Sequence, residues 1–322
     1  VKDFKFENLK YKMPPKMVRS VERGQLFGLK AADEAINESG LSNYLDPGNK
    51  TGVILGTIAG ERQSKNIIRV RKHFVANFVR ECTGVDPDKR GRLADSLVER
   101  IRERMPENNG DTTPGLLSNI ISGRIANQFG LNGANYVIDA SCASAAMAIR
   151  NAVRDVKFKD LDFALAGGVD TNLFPAVLMA FKRLGLLSKG DCNFFDSRAD
   201  GYVMGEGASM HVITTRRKAK EAGMEIFGEF NTISVKSSVP DHLLSPSGPT
   251  FVSAINEGYR KTGIRKNELD YLDLFAFSNI FGDMVEKQVV DECFDHDLYC
   301  GNAKPQFGYF RAANPSIALA RM

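Results

Sequence analysis

Apolar residues recur at helical spacing between Met17 and Asn37. Val18, Val21, Leu26, Leu29, Ala32, Ala35 and Ile36 fall on one face, and Gly40 is a natural stop. Gly52 to Gly56 is a short apolar run, which predicts a buried strand. Two amphipathic helices follow in the pattern. One runs from about 64 to 81 with Ile67, Phe74, Val75 and Phe78; the other runs from about 92 to 104 with Leu93, Leu97 and Ile101. Pro87, Gly91 and the stretch from Pro106 to Asp111 bracket the second one as loops. Leu116 to Phe129 reads as a further helix ending at Gly130. Strands are expected at Tyr136–Ile138, Leu161–Gly168, Ala208–Thr214, Ile226–Val235 and Tyr271–Phe275, the last feeding a helix from Met284 to Cys293. Strands alternating with helices indicate an α/β fold with mostly parallel sheets. The unit at 271–293 resembles the one around Cys142, so a duplicated half-domain is expected. No Pro-, Gly- or Ser-rich linker divides the chain.

Composition narrows the class. The chain is 43% hydrophobic and 25% charged, the balance of a soluble globular protein, and 322 residues can bury one large core or two moderate ones. No apolar run reaches membrane-spanning length and no charged-then-apolar leader opens the sequence, so the expected location is cytoplasmic. The five cysteines (82, 142, 192, 293 and 300) show no metal-ligand spacing, and their odd number argues for free thiols. Twelve Lys or Arg against seven Asp or Glu lie between Glu61 and Arg104, so that segment carries +5 of a net +4. Two readings stay open: solvated helix faces, or a docking face for an acidic partner. Nucleic acid is disfavoured, because the basic residues alternate with acids and with buried-looking Ile and Phe.

The candidate chemistry centres on Tyr136-Val-Ile-Asp-Ala-Ser-Cys142-Ala-Ser-Ala-Ala146. A β-branched and aromatic run breaks into small residues and then into an alanine-rich helix carrying Ile149 and Val153. This is a strand, a tight elbow and a buried helix, with a cysteine at the turn. Small neighbours allow close approach to the sulfur, and the helix N-terminus supplies unpaired N–H groups and positive potential that favour a thiolate. The sequence therefore reads as a nucleophile site. The Gly205-Glu-Gly-Ala loop is glycine-rich but lacks the spacing of a phosphate cradle. Cys82, Cys192, Cys293 and Cys300 read as inert.

These residues resemble the β-ketoacyl synthase family, in particular ketosynthase domains of polyketide and polyunsaturated fatty acid synthases. Asp139-Ala-Ser-Cys142-Ala-Ser is similar to the family's nucleophile elbow. Leu165-Ala-Gly-Gly-Val-Asp170, Leu184-Gly-Leu-Leu-Ser188 and Phe195-Asp-Ser-Arg-Ala-Asp-Gly-Tyr-Val-Met-Gly-Glu-Gly-Ala208 continue the likeness. The resemblance implies a thiolase-like fold, layered α/β/α/β/α with duplicated halves, truncated at both ends. Residues 1–322 then form one ketosynthase-like domain. Its N-terminal half runs to about 220 with a helical insertion at about 61–113; its C-terminal half, about 221–322, is incomplete.

The resemblance also implies chemistry. The cysteine takes an acyl group from a phosphopantetheine thioester on acyl carrier protein or CoA, with no bound cofactor and no metal. Two histidines then assist decarboxylation of a malonyl thioester. Here the segment anchored by Gly282-Asp283 and Glu286 places Phe275 where one histidine belongs. The segment anchored by Gly301 and Lys304 places Tyr309 at the other. The only histidines are His73, His211, His242 and His296. The first, second and fourth read as packed or solvated; His242, on a stretch similar to a substrate-channel loop, is the one possible substitute. Lys304, Glu286 and Asp283 are retained as a pocket network. Phe275 offers no hydrogen-bond donor and Tyr309 offers one, so decarboxylative condensation is expected to be impaired while acylation of Cys142 survives. Three functions follow: a working synthase, an acyltransferase that loads Cys142 without condensing, or a non-catalytic partner of the chain-length-factor type that shapes an active ketosynthase's channel. The likeness further implies a homodimer, or a heterodimer with another ketosynthase, pairing through residues 133–138.

Overall fold

The computed structural model describes residues 4–58, 74–82, 84, 86–104, 110, 114–115, 117–171, 173–238 and 246–322. Two helices, α1 (Pro15–Ser20) and α2 (Arg23–Ser39), lead into strand β1 (Thr51–Thr57). Helices α3 (Pro87–Arg104) and α4 (Ile120–Phe129) precede β2 (Asn135–Ile138), and α5 (Ser144–Lys157) leads to β3 (Phe163–Asp170). Helix α6 (Pro175–Arg183), strand β4 (Gly207–Thr214) and helix α7 (Arg216–Glu221) complete the first part.

These strands form one sheet in the order β2-β1-β3-β4. The first three are parallel and β4 is antiparallel to β3, with Ile54 opposite both Tyr136 and Ala166, and Ala166 opposite His211. Strand β1 is buried along its whole length, which explains its unbroken apolar run. Val53 and Leu55 join a core with Leu26, Leu29, Ile125 and Leu165 on one face. Ile54 faces the other way, into a core with Ala148, Ile149, Ala152 and Ala166. Each such Leu or Ile contributes roughly 1.5–3 kcal/mol on burial. Helix α5 lies against β1 and β3 at the second face. Its backbone comes so near that a Cβ on Gly56 would stand 2.2 Å from the Ala145 nitrogen, so only glycine fits there.

The second part contains α8 (Gly248–Thr262), β5 (Tyr271–Asp273), α9 (Ile280–Cys293), β6 (Tyr299–Gly301), α10 (Lys304–Phe307) and α11 (Asn314–Arg321). Strands β5 and β6 pair in parallel, and α8 packs on α9 around Val289, Cys293 and Phe294. Helix α11 crosses back to β4, β3 and α5, joining the two parts.

Three sequence expectations change. The helix expected from 17 to 37 is two helices, because Val21 and Glu22 turn extended and Val21 enters the core at 3% exposure. The helix expected to start near 92 begins at Pro87, a residue suited to the first helical turn, where Asp86 Oδ1 accepts from the Asp88 and Lys89 N–H groups. Residues 226–235 form no strand: they lie outside both sheets, and Phe227 is 90% exposed. Of the helix expected at 64–81, residues 74–81 are helical; the remainder, with His73, lies outside the described residues. Most of the loop carrying His242, residues 239–245, also lies outside them.

Candidate active site

The elbow is built by its own short side chains. Ser144 Oγ accepts from the Ala140 N–H at 2.9 Å and donates to the Ser141 carbonyl at 2.6 Å, closing a 3-10 turn over Ser141–Ala143. Ser141 takes a left-handed φ of 52°, a strained conformation for a residue with a Cβ. The turn lifts Cys142 ahead of helix α5, which starts at Ser144, and leaves the cysteine half-buried at the end of β2. The residue therefore precedes the helix instead of sitting in its first turn. Asp139 Oδ1 accepts from the Ser141 N–H at 3.1 Å and fixes the approach.

Tyr309 meets the sulfur. Its hydroxyl donates to Cys142 Sγ at 2.5 Å, and its ring, 2% exposed, stacks on Tyr202 with centroids 4.3 Å apart. Burial and the neighbouring Cys142 hold the Tyr309 hydroxyl well above the ordinary phenol range. It serves as a donor and cannot serve as a base at neutral pH. Phe275 packs edge-on against Tyr309 at 6.0 Å between centroids. Both positions anchored from sequence thus share one wall with the cysteine.

The segment from Leu274 to Ser278 is held from both sides. Glu286 on α9 accepts from the Phe275 and Ala276 N–H groups, each at 2.7 Å, and Asp283 accepts from Ser278 at 3.0 Å and from Phe195 at 2.9 Å. Lys304 Nζ donates to the carbonyls of Phe275 and Ala276, the second at 2.9 Å; Asn302 Nδ2 donates to those of Leu274 and Phe275. These contacts support left-handed φ values of 51° at Ala276 and 54° at Ser278. Lys304 and Glu286 therefore clamp the same backbone rather than bonding each other directly. Lys304 is 1% exposed, and burial lowers its ammonium from 10.5 to about 8 despite the opposing pull of Glu286. Burial raises the Glu286 carboxyl.

The histidines with described positions stand elsewhere. His211 Nε2 lies 3.0 Å from Ser316 Oγ and 3.1 Å from its carbonyl on α11, and burial lowers its imidazole. His296 Nε2 lies 3.0 Å from the Leu269 carbonyl. Sequence reasoning missed Tyr202, although it lies inside the 195–208 stretch quoted for the resemblance. It also missed Asn302, which sits between the two anchors Gly301 and Lys304. Cys192, read as inert, accepts from the Val203 N–H at 3.1 Å, and its thiol, raised by burial, lies within electrostatic reach of Lys304. Arg311 donates to Asp170, the last residue of the quoted 165–170 stretch, at 3.3 and 3.4 Å, a buried pair that sequence reasoning did not connect. Among the described residues, no cluster of His, Cys, Asp and Glu is arranged to hold a metal.

A cysteine at a strand-elbow-helix turn on a mostly parallel sheet, beside a buried Lys–Glu–Asp network, makes a ketosynthase-like arrangement. The sequence matches the family described as "Beta-ketoacyl synthase, N-terminal domain" over residues 1–219, and the chain belongs to that family. Its relatives include polyketide synthase PksN of Bacillus subtilis, 27% identical over 336 residues and 98% of this chain, and a mycoketide-CoA synthase of Mycobacterium tuberculosis, 28% identical over 75% of it. The aligned region makes up 5% and 6% of those two proteins. An oxazolomycin ketosynthase domain from Streptomyces albus superposes over 98% of this chain with a TM-score of 0.80 at 20% identity. A ketosynthase from module 6 of the Bacillus subtilis bacillaene synthase does so at 0.77 and 22%. This chain spans half of each of those solved chains, and its fold is the thiolase fold they share.

Proposed function

We propose that this chain carries an acyl group on Cys142 as a thioester, delivered from a phosphopantetheine arm of acyl carrier protein or CoA, and is impaired in decarboxylative condensation. The observation that carries this reading is the Tyr309 hydroxyl on Cys142 Sγ with the Phe275 ring beside it. The cysteine is retained and half-buried, while among the described residues its wall offers one donor and no imidazole. In acylation the sulfur attacks the thioester carbon, and the pantetheine sulfur leaves and takes a proton. Decarboxylation asks more: an enolate oxygen must be stabilised, and each missing donor of that type costs roughly 10²–10³ in rate.

The reading includes a cytoplasmic location, no bound cofactor, and a paired assembly. Among the described residues no helix is long and apolar enough to cross a membrane. Strand β2 is the edge of its sheet, which leaves one side of residues 135–138 open to a second ketosynthase-like chain. The retained cysteine favours acyl transfer over the purely structural partner role.

Intact-protein mass spectrometry after incubation with acyl and malonyl carrier thioesters tests the proposal. The expected result is an acyl adduct on Cys142 without carbon dioxide release, and the Phe275→His/Tyr309→His double variant is expected to gain decarboxylation. Absence of any adduct would select the structural partner role. Malonyl decarboxylation by the unmutated protein, lost on changing His242, would assign the missing role to that residue.

A further inference from the structure

The wall that Tyr309 and Phe275 form beside Cys142 has a second feature. Lys304 Nζ lies 3.9 Å from the Phe275 ring centroid, 5.1 Å from that of Tyr309 and 5.4 Å from that of Tyr202. Three aromatic rings and two backbone carbonyls thus enclose one ammonium, and two of the rings occupy the positions where imidazoles were expected. An aromatic face attracts a cation, and the attraction grows as water is excluded. The enclosure therefore places the ammonium where ring faces and backbone carbonyls both favour its charged form, against the cost of burial. The Cys142 sulfur is near enough to raise the lysine electrostatically, as are Cys192, Asp273 and Glu286.

We propose that Lys304 is a positioning and charge-supplying residue of this site: its caged ammonium holds Tyr309 against Cys142 and biases the cysteine toward anionic electrophiles. The inference rests on the reading of Cys142 as a reactive nucleophile. Its substrate consequence is a preference for thioesters whose acyl group bears a carboxylate over neutral ones of the same length. Opposing charges on the elements packed around Lys304 are Glu286 and Asp283 on α9, Asp273 on β5, and the thiols of Cys142 and Cys192. Arg311 acts on Tyr309 from the other side and is paired with Asp170. Because burial lowers the ammonium to about 8, its charge is present at pH 7 and is lost as the pH rises through that value.

Paired alkylation of the purified protein tests this. Iodoacetate and iodoacetamide react with the same thiolate by the same displacement, forming an S–C bond and releasing iodide. The ratio of their rates at Cys142, referred to a free cysteine derivative, therefore cancels the thiolate fraction and reports the local potential. At low salt and pH 6.5 the normalised ratio is expected to be at least about threefold above that of the free thiol, falling by a similar factor by pH 9.5. Lys304→Arg should keep the ratio high across the range, and Lys304→Met should hold it low throughout. A flat ratio in the unmutated protein overturns the inference and leaves the acyl-carrier reading standing. Failure of iodoacetamide to label Cys142 overturns that reading instead. A fall of equal size in Lys304→Met would assign the effect to Cys192 and also overturn the inference. Should Lys304→Met not fold, the unmutated protein and Lys304→Arg decide the matter.

Discussion

Replacing Lys304 by methionine should change how the stability of the fold depends on pH, and the direction follows from burial. The ammonium is 1% exposed, and its value falls from 10.5 to about 8. Between those values the unfolded chain binds a proton there that the folded chain has released, so stability rises with pH across the window. The stabilising contribution is complete above 10.5 and is lost as the pH falls through 8. At pH 7 the folded state therefore bears nearly the whole cost of a buried charge, on the order of 3 kcal/mol, and by pH 10 most of it is relieved. Methionine cannot titrate. It also loses the donations to the Phe275 and Ala276 carbonyls, which lowers stability by an amount independent of pH. Urea unfolding of both proteins at intervals from pH 7 to 10 separates the two effects: the difference between them should grow in favour of the unmutated protein as the pH rises. A constant difference would refute the reasoning, since it would mean that Lys304 titrates alike in the folded and unfolded chains.

Tyr309→Phe removes the hydroxyl that donates to Cys142 Sγ while keeping the ring stack on Tyr202, and should slow iodoacetamide labelling of Cys142 at pH 7 by roughly three- to tenfold, as loss of one hydrogen bond to a charged group implies. An unchanged or faster rate would show that the hydroxyl restrains the sulfur instead of activating it. Asp170→Ala leaves the Arg311 guanidinium and the Ala312 N–H without their shared carboxylate, and should cost about 3 kcal/mol in denaturant unfolding; a loss below about 1 kcal/mol would mean that the pair is solvated. Light scattering of the purified protein should give a dimer, and charged substitutions on the edge strand at Val137 should dissociate it. A monomer before substitution would count against pairing through β2.

The parts legible in the sequence were those in which local pattern and tertiary environment agree. The first sheet is the best case. Strand β1 is buried on both faces, so an unbroken run at Gly52–Gly56 could be read directly, and Gly40 and Gly130 stop α2 and α4 in the left-handed conformation that only glycine adopts at no steric cost. The elbow was legible because small residues at 140–146 have no other purpose between an apolar strand and a buried helix. Helices α8 and α11 were not anticipated. Each begins with a Pro in its first turn, a start signal that carries weight only alongside an apolar stripe, and no residue of α8 is fully buried. The expected strand at 226–235 failed for the opposite reason: its β-branched and aromatic residues match a strand, but a strand exists only where a neighbour pairs with it.

Anchoring on glycines and acids brought Phe275 and Tyr309 to the cysteine wall without any view of three dimensions, because those anchors are fixed by backbone demands. A Cβ on Gly282 would stand 2.5 Å from the Phe277 Cβ and one on Gly301 2.2 Å from the Tyr271 hydroxyl, and Glu286 and Asp283 each satisfy two N–H groups of loops that must bend through left-handed residues. Positions so constrained tolerate no slip, so the residues between them are placed to within one register step. What spacing could not reveal is the use to which the substituted positions are put. Phe275 and Tyr309 read along the chain as losses, two imidazoles replaced by rings that offer one hydroxyl between them. Read with Lys304 in place, they are also gains, because an imidazole that charges would repel the neighbouring ammonium, whereas a ring with a negative face holds it. The double histidine variant therefore carries a cost that a donor count omits: it introduces two imidazoles and dismantles two of the three rings around Lys304. Decarboxylation in that variant should accordingly rise above the unmutated protein and stay level from pH 7 to 9, because an imidazole of ordinary pKa about 6.5 is already neutral there and an adjacent ammonium further disfavours its charging. A rate that instead falls steadily from pH 7 to 9 would show that the lysine's charge assists the enolate, and that the cage serves the substrate rather than the lysine.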